Sequence, residues 1–389
     1  MANASKKEKI LNTAVEIFRK KGKKTTISEI GKTAGVTDSI IYHYFKNKED
    51  LLYYAAGKQV LELTGTLMEH LGGINDPVEK LRKFIWLQLH YHDKNPNYTT
   101  LTIFECRSKE RFFNHESFQH FRDWTRVLTG ILKDGINKGL FDSDIPIQVV
   151  RDAIFGLLDM ESIHILAEKE VSEAHTFLDE IMDLILPFLL KQKKADQNES
   201  GKPERILSAA ESIFAEKGYD KANMADIAFK AGVGEGTIYD YYKNKESLLF
   251  SSLGKRLQGQ TDICREISEN NNPLQRLKHI IQNHFFTYLN QPEFMKVFIF
   301  EGLFNKNFYT SDARDSYRNY TNAIISVVDE GKKTGFIRVD VNNRIFKNLF
   351  LGVTSHMALR WYFLDNDKQI DKFAEINMAI SLLVKSISI

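Results

Sequence analysis

Apolar residues recur every three or four positions along most of this 389-residue chain. That spacing places them on one face of a helix, and no segment shows the sustained alternation of apolar and polar residues that a half-buried strand requires. The same spacing occurs in both halves of the chain, at Ile10, Ala14, Ile17 and Phe18 and again at Ile206, Ala210, Ile213 and Phe214. The pattern therefore predicts an all-α protein.

The chain repeats itself after about half its length. The segment KKEKILNTAVEIFRKKG at residues 6–22 matches KPERILSAAESIFAEKG at residues 202–218. The segment AGVTDSIIYHYFKNKEDLL at residues 34–52 matches AGVGEGTIYDYYKNKESLL at residues 231–249. An offset of 196 or 197 residues relates these pairs, and such self-similarity indicates a duplicated structural unit.

The duplication continues to the end of each half. Glycines recur at the offset of 196 residues, Gly135 with Gly331 and Gly156 with Gly352. Between the halves, KQKKADQNESG at residues 191–201 is polar and lacks apolar anchors, which is typical of a flexible linker. We therefore expect two complete units joined by this linker.

Each unit opens with the pattern of a helix-turn-helix. Thr26 with Glu29 forms a capping box at the start of a short helix, and Asn223 with Asp226 takes the same place in the second unit. A glycine, Gly35 or Gly232, ends that helix because glycine adopts the left-handed conformation without strain. A second short helix is predicted at once, at residues 38–45 and 235–242. This order of elements places the second helix in the major groove of DNA.

Charge distinguishes the two units. Over the whole chain the formal net charge is only +2. Residues 1–60 carry twelve Lys and Arg against six Asp and Glu, whereas residues 202–256 carry nine against eight. The first unit is therefore expected to have the more basic DNA-facing surface.

Several protein classes are excluded by what the sequence lacks. No stretch approaches the roughly 18 uninterrupted apolar residues of a membrane span, and the N-terminus has no apolar core of a signal peptide, so we expect a cytoplasmic protein without a membrane partner. Two cysteines without a CxxC spacing argue against a disulfide framework or a zinc site. The sequence shows no nucleophile elbow, HExxH, phosphate loop or paired-carboxylate motif, so we expect no enzyme, no cofactor and no metal.

The motif G-x-x-x-T-x-x-x-I-x-x-x-A-G-V, followed by I-Y-x-Y-[FY]-K-N-K-E-x-L-L, resembles the TetR family of repressors, and the resemblance spans both units. It implies that Tyr42, Lys48, Tyr239 and Lys245 hold DNA phosphates. It also implies that bases are read by Asp38, Ser39, Ile40, His43, Glu235, Gly236, Thr237 and Asp240. The DNA-binding set further includes residues at the helix starts, namely Thr26, Thr37, Asn223 and Gly234. The family favours Gly-Thr at the position of Ser39-Ile40, which the second unit keeps as Gly236-Thr237.

The same resemblance implies a helical body in each unit that binds a small hydrophobic effector and pairs through its last two helices. The predicted ligand-binding residues are Trp86, Phe104, Arg107, Phe121 and Trp124, then Phe285, Phe300, Tyr317 and Tyr320. For each aromatic residue, ordinary core packing is the competing interpretation. IFECRSKERF at 103–112 and FGLLDMES at 155–162 resemble family members that respond to fatty acyl-CoA, which makes fatty acyl-CoA the candidate effector. Leu303 replaces Arg107 in the second unit.

The predicted organisation has two DNA-binding domains and two ligand-binding and dimerisation domains. The boundaries are 1–52 and 202–249 for the helix-turn-helix domains, 53–190 and 250–389 for the helical bodies, and 191–201 for the linker. One chain can then supply both heads of a dimer as an intramolecular pseudo-dimer, with higher oligomers left open.

The predicted function is a ligand-responsive repressor that leaves a double-stranded DNA operator when the effector binds. Because the two recognition helices differ, we expect an imperfectly palindromic operator. Three alternatives remain: a regulator with only one DNA-reading head, an architectural protein that reads DNA shape, and an enzyme. Specificity over competitor DNA near unity would indicate the architectural protein.

Overall fold

The computed structural model describes most of the chain. The described ranges are 2–169, 171–190, 222–242, 272–290, 298–311, 313–364 and 370–389, together with residues 206, 209, 210, 213, 245, 248, 295 and 296. These residues belong to two compact units, Met1–Lys191 with Asn272–Ile389 and Gln192–Asn271. The predicted linker at 191–201 and the predicted boundary after residue 249 lie outside the described residues.

The described residues of the first copy form ten α-helices. They are α1 Ala2–Lys21, α2 Ile27–Ala34, α3 Asp38–Tyr44, α4 Lys48–Leu71, α5 Pro77–Lys94, α6 Pro96–Thr100, α7 Glu110–Phe113, α8 Phe118–Asn137, α9 Ile147–Ile163 and α10 Leu178–Leu189. Two π-helical segments, Leu101–Cys106 and His164–Glu168, continue α6 and α9.

The described part of the second copy repeats this order. Its helices are α11 Met224–Ala231, α12 Glu235–Tyr241, α13 Pro273–Asn290, α14 Ala313–Lys333, α15 Asn343–Leu359 and α16 Lys372–Lys385. π-Helical segments recur at Phe298–Leu303 and Arg360–Leu364. The all-α prediction and the duplication are thereby confirmed.

The first head is held together by the apolar stripe that the sequence predicted. Ile10 and Ala14 of α1, Ile30 of α2 and Ile41 of α3 are fully buried in one cluster. Asn47 begins α4 by accepting a hydrogen bond from the backbone N–H of Asp50 at 2.8 Å. Helix α4 then runs without interruption from the head into the body, so the predicted boundary after residue 52 falls inside one continuous helix.

The two copies meet where α9 crosses α15, and the crossing brings backbone against backbone. A Cβ atom placed on Gly156 would lie 2.2 Å from the carbonyl carbon of Gly352, and one placed on Gly352 would lie 2.2 Å from that of Gly156. Only glycine leaves room for such an approach. Because the two glycines are equivalent in the repeat, the crossing point is also the pseudo-symmetric centre of the pair.

Helices α10 and α16 flank the crossing and complete a four-helix bundle. Apolar side chains fill it from both copies, with Leu158 and Ile181 fully buried on one side and Leu349 and Leu383 on the other. In the part of the chain that the structure describes, no helix is both long and apolar enough to cross a lipid bilayer.

Candidate functional site

The helix-turn-helix of the first head has the predicted geometry. The Thr26 hydroxyl accepts a hydrogen bond from the backbone N–H of Glu29 at 3.2 Å, which begins α2. The other half of the predicted capping box differs, because the Glu29 carboxylate is bound by the ammonium of Lys21. Gly35 ends α2 in the left-handed conformation, with φ 68°. Thr37 precedes α3 and makes no capping hydrogen bond, which leaves its exposed hydroxyl available to a ligand.

Helix α3 packs one face against the core and exposes the other to solvent. Ile41 is buried, and Phe45 at the end of the helix packs beside it in the core. Ile40 is half-buried and touches the same core, so only part of its side chain could contact a base. The other predicted DNA-facing residues of this helix are exposed, namely Asp38, Ser39, Tyr42 and His43.

The second head repeats these features. The Asn223 side chain accepts from the backbone N–H of Asp226 at 2.7 Å, and Gly232 ends α11 with φ 66°. On α12, Ile238 is buried and Thr237 is half-buried. The remaining predicted residues lie on the exposed side of the turn and helix, namely Gly234, Glu235, Gly236, Tyr239 and Asp240.

The tyrosine and lysine that were predicted to hold phosphates occupy the same positions in both heads. Tyr42 is 53% exposed and Tyr239 is 50% exposed, so both side chains are accessible to a ligand. Lys48 Nζ donates to the backbone carbonyl of Lys23 at 3.0 Å, and Lys245 Nζ donates to that of Ala222 at 2.9 Å.

This lysine contact was not foreseen from the sequence. It fixes the ammonium at the start of the helix that follows the recognition helix, and an ammonium has three N–H donors, so phosphate binding is compatible with it. The sequence also missed Lys24 and Lys46, two exposed cations near the turn and the end of α3. The excess of Lys and Arg over Asp and Glu in residues 1–60 was the sequence feature that indicated these cations.

A cavity of about 400 Å³ lies between the first body and the end of α15. Three predicted ligand-binding residues line it, Arg107, Phe121 and Trp124. Its apolar wall also includes Phe113, Phe118, Phe155, Leu359 and Leu364. The polar residues that sequence reasoning missed are Arg122, Thr125, Arg126, Arg151, Asp152, His356 and Arg360. The volume is within the range of small-molecule sites, roughly 300–1,000 Å³.

The other predicted ligand-binding residues are not among those that line this cavity. In the first body, Trp86 stacks on His90, with 4.6 Å between ring centroids, and Phe104 lies against Tyr309 of the second copy at 6.4 Å. Each of the four from the second copy packs against further aromatic rings: Phe285 on Tyr288 and Trp361, Phe300 on Phe113 and Phe363, Tyr317 on Phe308, and Tyr320 on His284. Their proposed contact with a ligand stays a prediction.

Buried charged groups surround the inner end of the cavity. The Asp159 carboxylate is bound by the guanidinium of Arg107 and by Nε2 of His356 at 2.8 Å. Burial, aided by the nearby Arg107 charge, lowers the pKa of His356 to about 3. The imidazole is therefore neutral, and its Nε2–H donates to Asp159.

Arg360 and Asp152 form a second buried pair between the copies, and Arg360 lies one helical turn after His356. Arg360 Nε donates to Asp152 at 2.6 Å, and its two terminal nitrogens donate to Glu375 at 3.1 Å and 2.8 Å. Burial raises the pKa of Asp152 above its usual value, although Arg360 and Arg151 oppose that shift. On the far side of the bundle, Glu161 is bound by Arg344 and accepts from the Asn348 amide at 2.9 Å.

Two family models match the chain, and each matches it twice. The model described as bacterial regulatory proteins, tetR family, matches residues 10–55 and 206–251. The model described as YsiA-like protein, C-terminal region, matches residues 58–186 and 255–386. Together the two models cover one head and one body in each copy.

Individual relatives each match about one copy. The fatty acid metabolism regulator protein of Bacillus subtilis is 29% identical over 185 residues, covering 47% of this chain and 94% of its own length. The HTH-type transcriptional repressor KstR2 of Rhodococcus jostii is 26% identical over 193 residues, covering 47% and 90%. A solved structure of FadR from Bacillus subtilis in complex with stearoyl-CoA has a TM-score of 0.42 and 24% identity, covering 47% of this chain and 98% of that one.

Proposed function

The chain belongs to the TetR family of bacterial regulatory proteins, and we propose that it is a transcriptional repressor that binds one DNA operator with both heads and is released by an anionic amphiphile. A fatty acyl-CoA is the candidate effector. The observation that carries the proposal is the presence of two complete copies of the family's head and body in one chain.

The exposed faces of α3 and α12 support DNA binding by both heads. Each offers a half-exposed tyrosine, Tyr42 or Tyr239, and a lysine that begins the next helix, Lys48 or Lys245. Phosphate contacts of this kind set the register of a protein on the duplex, and the residues between them read bases. Since those residues differ between α3 and α12, the two half-sites of the operator should differ in sequence.

The charges at the bundle support pairing of the two copies within one chain. On α9 the buried charges are the acids Asp152, Asp159 and Glu161, whereas α15 and its extension provide the donors Arg344, Asn348, His356 and Arg360. Pairing of two first copies would replace Asn348 by its counterpart Asp152, which would then face Glu161. Two buried carboxylates in contact repel each other, and Glu161 would also lose its cation, because the counterpart of Arg344 in the first copy is Gln148.

Pairing of two second copies fails for the opposite reason. Arg360 would face Asn348 where it now faces Asp152, and Arg344 would face Met357 where it now faces Glu161. Arg360 would keep Glu375 of its own copy, but Arg344 would lose its carboxylate, and removal of one partner of a buried pair costs about 3–5 kcal/mol. The complementary pairing, first copy with second, is therefore the favoured one, and one chain contains both partners.

The cavity supports an anionic amphiphile as the effector. Its wall combines five arginines with aromatic and aliphatic side chains, so it suits an apolar chain that carries a negatively charged group. Similarity to the fatty acid metabolism regulator protein of Bacillus subtilis favours a ligand from fatty acid metabolism, and among such ligands a fatty acyl-CoA is an anionic amphiphile. Release from DNA requires that the ligand bind more tightly to the conformation that misfits the operator.

Footprinting of the full chain on the DNA around its own gene, with and without oleoyl-CoA, tests the proposal. We expect protection of two unequal half-sites about 34 Å apart and loss of protection when oleoyl-CoA is added. A perfect palindrome protected by two chains would contradict the pairing within one chain. Protection that does not change with oleoyl-CoA would contradict the effector assignment alone.

The charge difference between the two heads favours the alternative in which a single head reads DNA. The first head carries an excess of six positive charges over residues 1–60, whereas residues 202–256 carry an excess of one. Since phosphate contacts supply much of the affinity for DNA, the second head could serve as a structural partner only. In that case the footprint would cover a single half-site.

A further inference from the structure

The duplication creates a second place that is equivalent to the cavity. Every residue that lines the cavity from the first copy has a counterpart 196 residues later, and every residue that lines it from the second copy has one 196 residues earlier. The equivalent place therefore lies among α14, α15 and the π-helical segment His164–Glu168 that extends α9. Three of the cavity's five arginines are replaced in the equivalent place, Arg107 by Leu303, Arg126 by Asn322 and Arg360 by His164, and a further exchange there adds a carboxylate.

Leu364 lines the cavity, and its counterpart in the equivalent place is Glu168. The Glu168 side chain is only 8% exposed, and its carboxylate lies 3.2 Å from Nδ1 of His164. Burial works against the charge of Glu168, but the His164 hydrogen bond and the positive charges of Lys347 and Arg318 outweigh it, so the pKa of Glu168 is lowered. Glu168 is thus a buried carboxylate among basic groups.

The basic groups around Glu168 are themselves counterparts of cavity residues. Arg318 corresponds to Arg122, and Lys347 corresponds to Arg151. In the cavity, the corresponding cations face the apolar Leu364, and Asp152 is the carboxylate among the described lining residues. Four of the cavity's arginines already contact carboxylates, Arg107 with Asp159, Arg126 with Asp123, and Arg151 and Arg360 with Asp152. Arg122 has no carboxylate within 4.0 Å among the described residues, so it keeps a positive charge that a ligand could neutralise, whereas Glu168 supplies a carboxylate in the equivalent place.

Hydrogen-bonded side chains border the equivalent place. Tyr320, the counterpart of Trp124, donates its hydroxyl proton to Nδ1 of His284 at 2.5 Å, and Nε2–H of His284 donates to the Tyr288 hydroxyl at 3.2 Å. Burial lowers the pKa of His284 to about 3, which keeps the ring neutral as this pattern of donors requires. The first copy has the corresponding hydrogen bond, from the Trp124 indole N–H to the Gln88 side chain at 3.0 Å, so both places are bordered by a hydrogen-bonded pair at these positions.

We propose that the chain binds one anionic effector, in the cavity of the first copy, and that Glu168 is a built-in counterion that closes the equivalent place in the second copy. This inference rests on the proposed function, because it assigns the number and location of the effector sites. A single molecule then suffices to release the operator, and the binding curve has no cooperativity between sites.

The first test is the stoichiometry of binding to the full-length chain, measured by isothermal titration calorimetry with oleoyl-CoA and, separately, with oleate. We expect one oleoyl-CoA per chain, and binding of oleate would show that the carboxylate of a free fatty acid suffices as the anionic group. Two molecules of oleoyl-CoA per chain, with release of the operator, would overturn the single-site inference and leave the proposed function intact. No binding and no release would overturn the effector assignment and the inference together.

Two pairs of variants locate the site. Arg122 and Arg318 are equivalent, exposed arginines, so their replacement should leave folding unchanged. We expect R122Q to weaken oleoyl-CoA binding at least fivefold and R318Q to change it less than twofold. Equal effects of the two substitutions would contradict the inference.

The second pair of variants tests the effect of a carboxylate placed in the cavity. Leu364→Glu copies Glu168 at the equivalent position, and we expect it to weaken oleoyl-CoA binding at least tenfold. Leu364→Gln has nearly the same shape without the charge, and we expect it to weaken binding less than threefold. Thermal unfolding of both variants checks that they fold alike. Wild-type affinity in L364E, or an equal loss in L364Q, would show that the carboxylate does not close the site.

Discussion

The two copies share one fold and differ most where their last helices meet. The buried residues that bond across the crossing are the acids Asp152, Asp159 and Glu161 in the first copy and the hydrogen-bond donors Arg344, Asn348, His356 and Arg360 in the second. A symmetric dimer presents the same residues on both sides of its axis, so it cannot place acid on one side and base on the other. A fused pair is free of that restriction. The difference between α9 and α15 therefore indicates two halves adapted to each other and not to copies of themselves.

Removal of one buried charge should break this complementarity most severely. Arg360→Met leaves Asp152 and Glu375 without their guanidinium, and we expect a loss of about 3–5 kcal/mol in the free energy of unfolding. Urea unfolding measures it. The control is Arg276→Met, which removes a half-exposed pair with Glu330 inside the second copy, and it should cost less than about 1 kcal/mol.

The loss in the free energy of unfolding of R360M should depend on pH. Burial already raises the pKa of Asp152 in the folded chain, and loss of Arg360 raises it further. A carboxyl whose folded-state pKa is raised binds protons more readily in the folded than in the unfolded chain, so protonation favours folding. The deficit of R360M relative to wild type should therefore shrink as the pH falls from 8 to 5. A deficit that stays constant over this range would show that Asp152 is not the group left unpaired.

The glycine crossing tests whether the copies pack on each other as the structure shows. Gly156→Ala places a Cβ against the backbone of α15, and Gly352→Ala places one against α9. We expect each to cost about 1–3 kcal/mol, as overpacking of a buried contact does. Gly65→Ala on α4 is the control, since nothing lies within 4 Å of its added Cβ, and it should be neutral or slightly stabilising. Unaffected stability in both crossing variants would exclude the observed contact between α9 and α15.

Matched double variants test whether both heads contribute to operator binding. We expect Tyr42→Phe with Lys48→Ala, and separately Tyr239→Phe with Lys245→Ala, to weaken operator binding about tenfold each through lost phosphate contacts. Fluorescence anisotropy with a labelled operator gives the affinities, and thermal unfolding controls for the lost contacts of Lys48 with Lys23 and of Lys245 with Ala222. A loss confined to the first variant would favour the single-head alternative.

Local features of this fold were predictable from the sequence because they depend on neighbours in the chain. The caps at Thr26 and Asn223 and the turns at Gly35 and Gly232 follow from short-range hydrogen bonding and backbone conformation. The repeat also marked Gly156 as special. Its role at the crossing required the structure, since no spacing rule states which helix lies opposite.

The cavity was less predictable because it is assembled from both copies. Arg107, Phe121 and Trp124 were selected as ligand-binding residues, but Arg360 comes from the other copy and was not. Helical spacing alone does not distinguish an aromatic residue beside a cavity, such as Trp124, from one that packs elsewhere, such as Trp86. Comparison of each cavity residue with its counterpart in the repeat was a usable signal, as the exchange of Leu364 for Glu168 shows.

We propose that one chain supplies both halves of a functional pair. Native mass spectrometry of the full chain bound to its operator duplex is the decisive measurement. We expect one chain per duplex, with both half-sites protected in a parallel footprint. Two chains per duplex, each protecting one half-site, would contradict it.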